Sequence, residues 1–212
     1  MTGLMMIFML ITAVYIMRVE KTTTLVVDEY REVRNQMYLA LQNEFSKDLK
    51  AWNADLLGDM TIRFNNPDVQ FSTGSDELKP EFKSLIADFF PRYIKIIQSQ
   101  KFRAAVKEIR IEGHTSRFWS GAVDESDAYF KNMELSQRRT TSTLRYIMSL
   151  PVFKSDEQWF RSHITANGLS YSSPRIQNPK TPEQDKANQR VEFKVVTNAA
   201  DRIEKMISLQ AE

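Results

Sequence analysis

Val106-Lys107-Glu108-Ile109-Arg110-Ile111-Glu112-Gly113-His114-Thr115-Ser116, followed further on by Asn132-Met133-Glu134-Leu135-Ser136-Gln137-Arg138-Arg139, decides how this chain is read. Val106 to Glu112 predicts a strand that stops at Gly113. The second run lies in a helical pattern from about Asp127 to Leu150, which ends before Pro151 because the residue preceding a proline resists the helical region. Arg139, in the first turns of that helix, offers the planar, permanently charged fork that a free carboxylate ligand calls for. Such a bond is worth ~1.5–3 kcal/mol. Asn132 either bonds a ligand or caps backbone, and Leu135 packs inward to fix the helix on the sheet. Taken alone, an arginine near a helix start is more often solvated surface. His114 reads as a structural residue at a strand end, since no second histidine or carboxylate motif accompanies it.

Towards the N-terminus, Met60 to Phe64 is strand-like, Asn65-Asn66-Pro67 is a turn, and Val69-Gln70-Phe71 is again extended before Gly74-Ser75. Pro80 opens a helix through Phe82, Leu85, Ile86, Phe89 and Phe90 towards Ile97, in which Pro91 predicts a kink. Towards the C-terminus, His163 to Leu169 and Val191 to Val196 predict two more strands. The order is strand, helix, strand, helix, strand, strand. Asn198 to Glu212 is a short amphipathic tail with Ile203, Met206, Ile207 and Leu209 on one side.

Before Met60 the apolar residues Val26, Tyr30, Val33, Met37, Leu41, Phe45, Leu49, Trp52 and Leu56 recur at steps of four and three, the face of a long helix that follows a break at Thr22-Thr23-Thr24. Their mean step, about 3.75, is nearer the eleven-residue repeat than the heptad, so a left-handed zipper does not describe it. The stripe either packs on the following domain or pairs with a second copy. Met1 to Met17 carry no charge and reach roughly 25 Å as a helix, enough to span a bilayer. A signal peptide fits less well, for want of a basic leader and a small-residue cleavage site.

Composition narrows the class. There are 29 basic and 27 acidic residues, a net charge of +2, so nucleic acid is not the default partner. Zero cysteines exclude a disulfide scaffold and a thiolate metal site. No nucleophile elbow, phosphate loop, HExxH or metal-ligand cluster is present, so neither an enzyme nor a cofactor or metal is expected.

Ile111 to Ser116 and Asn132 to Arg139 together resemble the OmpA-like peptidoglycan-binding family, supported by Phe71-Ser72-Thr73-Gly74-Ser75-Asp76-Glu77-Leu78-Lys79-Pro80 and by Asn188-Gln189-Arg190-Val191-Glu192-Phe193. The resemblance implies an α+β fold, a β-α-β-α-β-β sandwich preceded by one transmembrane helix and a helical stalk. The expected divisions are 1–21 for the membrane helix, 22–58 for the stalk, 59–197 for the OmpA-like domain and 198–212 for the tail. It also implies a groove for the diaminopimelate of a stem peptide, with Ser116, Asn132, Leu135, Arg139 and Arg190 as wall-binding residues. Ser116 departs from the family, which has aspartate there to pair the ligand's ammonium, and the segment from Ser116 to Asn132 is longer than usual. Asp124, Glu125 or Asp127 in that loop could restore the charge.

Met1-Thr2-Gly3-Leu4-Met5-Met6-Ile7-Phe8 resembles the segment that follows the proton-carrying aspartate of MotB-type stator subunits, and more closely that of the ZorB family of Zorya anti-phage systems. The ion-binding aspartate would lie two positions before Met1, so an upstream start is expected; Glu20, beyond the apolar stretch, cannot replace it. The implied protein is single-pass in the bacterial inner membrane with its C-terminal domain in the periplasm. Two copies would sit in a ring of the MotA-like partner ZorA, against membrane lipid and bound to peptidoglycan, as a proton-driven motor. A flagellar stator and a passive wall tether remain the alternatives.

Overall fold

Helix α1 (Thr2–Phe45) runs without interruption through Thr22-Thr23-Thr24, where the sequence predicts a break. Threonine costs a helix at most about 0.7 kcal/mol, and nothing there removes a backbone donor as proline would. The computed structural model describes the backbone of residues 2–211, and the side chains among them other than those of 2, 20, 22, 23, 25, 26, 206, 207 and 209–211. The expected positions of Val26, Met206, Ile207 and Leu209 on their stripes, and the role of Glu20, lie outside the described side chains. Two compact units emerge, one of residues 1–36 with 197–212, the other Met37–Val196.

In the smaller unit, the large apolar side chains from Leu4 to Met17 are exposed. Among the described residues, no helix is long and apolar enough to cross a membrane. The tail forms a helix (Ala199–Ala211), and the Arg202 guanidinium lies 5.7 Å from the centre of the Tyr30 ring.

The larger unit holds five strands: β1 (Ala54–Leu56), β2 (Ile62–Phe64), β3 (Val106–His114), β4 (Ile164–Gly168) and β5 (Arg190–Thr197). They form one sheet in the order β1-β2-β5-β3-β4, with β1–β2 and β2–β5 antiparallel and β3–β4 parallel. Helices α2 (Pro80–Ile97) and α3 (Glu125–Ser149) cover one face, and α4 (Glu157–His163) and α5 (Pro182–Lys186) lie in the connections before β4 and β5. This mixed α/β arrangement contains the six elements read from the sequence. It adds β1, hidden at the end of the supposed stalk.

Helix α2 buries Phe82, Ile86, Phe89, Phe90, Tyr93, Ile94 and Ile97 along one stripe, the spacing of a helix laid on a sheet. The Phe89 ring meets Phe193 of β5 at 5.0 Å and Phe64 of β2 at 5.2 Å, both tilted towards edge-on, which favours aromatic pairs. The helix stays continuous through Pro91. The last turns of α1 belong to the same core: Met37, Leu41 and Phe45 are fully buried. Arg92 fixes that junction. Its guanidinium bonds Glu44 Oε1 and Asp48 Oδ2, each at 2.7 Å, and lies 5.0 Å over the Phe45 ring. Trp52 and Leu56 lie beyond the helix, the latter on β1, and the predicted extended run at Val69-Gln70 is a helical turn, Pro67–Gln70. Asn66 caps that turn by accepting from the Asp68 N–H, with Pro67 at its first position.

The opposite face of the sheet is polar. On β5, Val191, Phe193 and Val195 point to the helices, while Arg190, Glu192 and Lys194 point away, the alternation a strand imposes. Arg63 of β2 stands directly across from Glu192.

Candidate functional site

Two glycines bring α3 against the ends of β3 and β4. A Cβ on Gly113 would lie 2.6 Å from Thr140 Cγ2 and 2.9 Å from the Ser136 carbonyl oxygen; one on Gly168 would lie 2.3 Å from the Gln137 nitrogen. Only glycine allows so close an approach. Gln137 then bonds the edge of β4, its Oε1 accepting from Gly168 N–H and its Nε2 donating to the Ala166 carbonyl. The Ser136 hydroxyl accepts from Ser170 N–H at 3.0 Å, and the Ser170 carbonyl accepts from Thr115 N–H at 2.9 Å. Helix α3 starts cleanly because Asp124 caps it, accepting from Asp127 N–H, with Glu125 and Asp127 in its first turn at the positive end of the helix dipole.

At this end of the sheet lie two adjoining basins. One, of about 340 Å³, is lined by Thr115, Trp119, Asn132 and Leu135; the other, of about 700 Å³, by Pro67, Phe71, Pro179, Pro182 and Asp185. Thr73, Ser116, Phe118, Arg139 and Gln189 line both. Four of the five expected residues therefore come together: Ser116, Asn132, Leu135 and Arg139.

Arg139 stands midway along α3 rather than in its first turns. Its Nε donates to the Ser75 carbonyl at 2.9 Å, an Nη2 hydrogen to Ser72 at 3.2 Å, and the guanidinium lies 4.8 Å over the Phe71 ring. Burial pushes its pKa down to about 10, against the pull of Asp76, so it remains charged at neutral pH. The fork is thus built into the loop before α2, and among the described residues Nη1 makes no hydrogen bond. Asn132 is a strut: its Nδ2 donates to the carbonyls of Ala128 and, at 3.3 Å, of Arg117 in the long loop. The Ser116 hydroxyl accepts from Gln189 Nε2 at 3.0 Å. Leu135 is buried under the smaller basin.

A carboxylate anchored on backbone faces the basins from a place the sequence did not point to. Asp124 is spent on the helix cap, Asp127 accepts from Val123 N–H and from Lys131 Nζ, and neither they nor Glu125 line the basins. Asp185 of α5 does, with both oxygens 3.1 Å from Arg117 N–H and one 3.3 Å from Phe118 N–H. No motif surrounds Asp185. The one signal was Thr181-Pro182, a hydroxyl cap followed by proline at the first helical position, which marks a helix start there.

Arg190 does not reach the basins. Its Nε pairs with Glu192 Oε1 at 2.5 Å, and its Nη atoms donate to the carbonyls of Asn188 and Ser173. The same Glu192 oxygen accepts from Arg63 Nε at 2.6 Å. Burial raises the Glu192 pKa, but the two guanidinium groups, Arg190 foremost, outweigh it and hold the carboxyl below its usual range. Beside this pair His114 is buried, and neither ring nitrogen has a hydrogen-bond partner among the described residues. Burial first, then the Arg190 charge, push its pKa down to about 4, so the ring is neutral. Glu112, His114 and Glu192 offer ligand atoms within 4.8 Å of one another, the one such grouping among the described residues. Arg63, Arg190 and Lys194 surround it, so a cation would enter a positive environment with Glu192 already engaged.

No family model matches the chain. The Zorya protein ZorB of Escherichia coli (strain ATCC 8739) is 42% identical over 212 residues, spanning 98% of this chain and 88% of the relative. Among solved structures, a MotB-like protein from Desulfovibrio vulgaris matches with a TM-score of 0.57 at 24% identity, over 79% of this chain and 93% of its own. The cell wall anchor of the T6SS from Pseudomonas aeruginosa matches with a TM-score of 0.52 at 20% identity, over 74% and 96%. At these identities the two structures share the fold with this chain.

Proposed function

The chain belongs to the ZorB family of Zorya proteins, and from that membership we propose that it is the wall-anchored, MotB-like subunit of a proton-driven inner-membrane motor acting in anti-phage defence. Its domain lies in the periplasm and holds the diaminopimelate-bearing stem peptide of peptidoglycan. Its N-terminal helix sits in the membrane as one of two copies within a ring of the MotA-like partner ZorA. It is a binding and force-bearing subunit, not an enzyme.

The observation that carries the wall-binding reading is the pairing of unlike charges across one cleft. Arg139 presents a buried guanidinium and Asp185 a carboxylate anchored on backbone N–H groups, with the neutral donors and acceptors of Ser116, Asn132 and Gln189 among the lining. A zwitterionic amino-acid centre carries the complementary pair, and a charge-assisted bond in a partly desolvated cleft outweighs its exposed counterpart. The membrane reading is supported by the exposed apolar surface from Leu4 to Met17: a helix apolar on all sides is stable in lipid or among partner helices.

The test is sedimentation of the full chain with purified peptidoglycan. Arg139→Ala with Asn132→Ala abolishes sedimentation while circular dichroism at the assay temperature still shows a folded domain, its melting midpoint lowered by the lost braces. Unchanged sedimentation would sink the assignment.

A further inference from the structure

The wall between the two basins carries a feature that charge recognition does not use. Phe118 is 75% exposed, yet its backbone is held from three directions. The N–H groups of Arg117 and Phe118 bond Asp185, the Arg117 side chain bonds the Gln177 carbonyl at 2.9 Å, and Asn132 holds the Arg117 carbonyl. An aromatic ring left in water on an anchored backbone has already lost the backbone freedom that binding would cost. Ser116 and Gln189, whose hydroxyl and amide bond each other at 3.0 Å, line the same two basins as the ring. Trp119 adds a second aromatic group to the smaller basin.

We propose that Phe118 is a saccharide platform: its ring takes the apolar C–H face of a sugar of the glycan strand, while Ser116 and Gln189 meet the hydroxyl or acetamido groups at the sugar's edge. This rests on the wall-binding reading and adds a second, glycan subsite to it. The ring face of phenylalanine is negative and the axial hydrogens of a pyranose are slightly positive, so stacking is favourable in geometry and in desolvation. Covalent continuity selects the sugar over other apolar partners. A stem peptide held at Arg139 is joined to its glycan through a few residues, at roughly 3.5 Å each, so the sugar must lie near the cleft. A protein partner would need a broad apolar patch; Phe118 instead stands in the wall of a concavity.

The test uses the full chain in detergent, titrated with two soluble probes: a disaccharide–stem-peptide muropeptide and the same stem peptide without sugar. The wild type binds the muropeptide about three- to tenfold more tightly than the peptide, the range of one aromatic stacking contact. Phe118→Ala brings that ratio close to one, and Phe118→Trp restores it. A wild-type ratio of one, or a Phe118→Ala loss equal for both probes, overturns the glycan subsite. If Arg139→Ala still loses both probes, wall binding stands without it. Should neither probe bind the wild type, the wall-binding reading itself fails. A change of oligomeric state in Phe118→Ala by light scattering, with the ratio intact, identifies the ring as a contact between copies and likewise overturns the proposal.

Discussion

Arg139 donates from Nε to the carbonyl oxygen of Ser75 at 2.9 Å, joining the middle of α3 to a loop 64 positions earlier in the chain. The residue expected to meet the ligand is thus also the brace of the cleft's opposite wall. Binding and local order cannot be separated at this position.

Arg139→Lys tests that coupling. Lysine keeps the charge but is a compact ammonium that cannot span two loop carbonyls and still face a ligand. We expect sedimentation with peptidoglycan to fall at least tenfold, the domain to lose about 1.5–3 kcal/mol, and amide exchange at Ser72–Asp76 to quicken. Retained sedimentation would show that charge alone suffices.

His114 predicts a pH dependence. Its pKa is about 4 in the fold and 6.5 when unperturbed, so below 6.5 the unfolded chain binds more protons. Stability is full above 6.5 and falls as the pH drops towards 4, by up to about 3 kcal/mol at 1.36 kcal/mol per unit. Glu192, whose carboxyl is held below its usual range, adds a further loss once the pH falls below about 4.5. His114→Phe should flatten the part between 6.5 and 4 and leave the pH 7 melting temperature equal or higher, because it removes two buried nitrogens without partners. Denaturant midpoints measured from pH 4 to pH 8 decide it.

Gly168→Ala should cost about 1–3 kcal/mol or more, because the new methyl would meet the backbone of Gln137 at 2.3 Å rather than a side chain that could turn aside. Since α3 carries Asn132, Leu135 and Arg139, displacing it should also weaken peptidoglycan binding. A variant as stable as wild type in urea would contradict the close approach.

The parts legible in the sequence were those with long-range pattern. The stripe of α2 and the alternation of β3 and β5 each repeat over many residues, so their types and positions were readable. Strand β1 was not, because Ala54-Asp55-Leu56 is too short to show a period and Leu56 continued the apparent helical stripe. Val69-Gln70-Phe71 looked extended only while the Asn66 cap and Pro67 were taken as a plain turn. Within the site, Ser116, Asn132, Leu135 and Arg139 share a cleft as read. Arg190 was assigned to it because its neighbourhood is invisible in one dimension: Glu192, two residues away on the same face of β5, fills its fork. Asp185 was missed for the converse reason, since its role arises from a fold-back to Arg117 across 68 positions.

The middle position of β5 in the sheet bears on how the protein is made. The pairs β1–β2 and β3–β4 share no hydrogen-bonded edge; β5 (Arg190–Thr197), the last of the five in sequence order, joins them. Until β5 has been made, the domain has two open sheet fragments and no closed core. A nascent polypeptide in that condition has no finished sheet on which its helices can settle, so closure of the domain waits for the strand that is made last of the five.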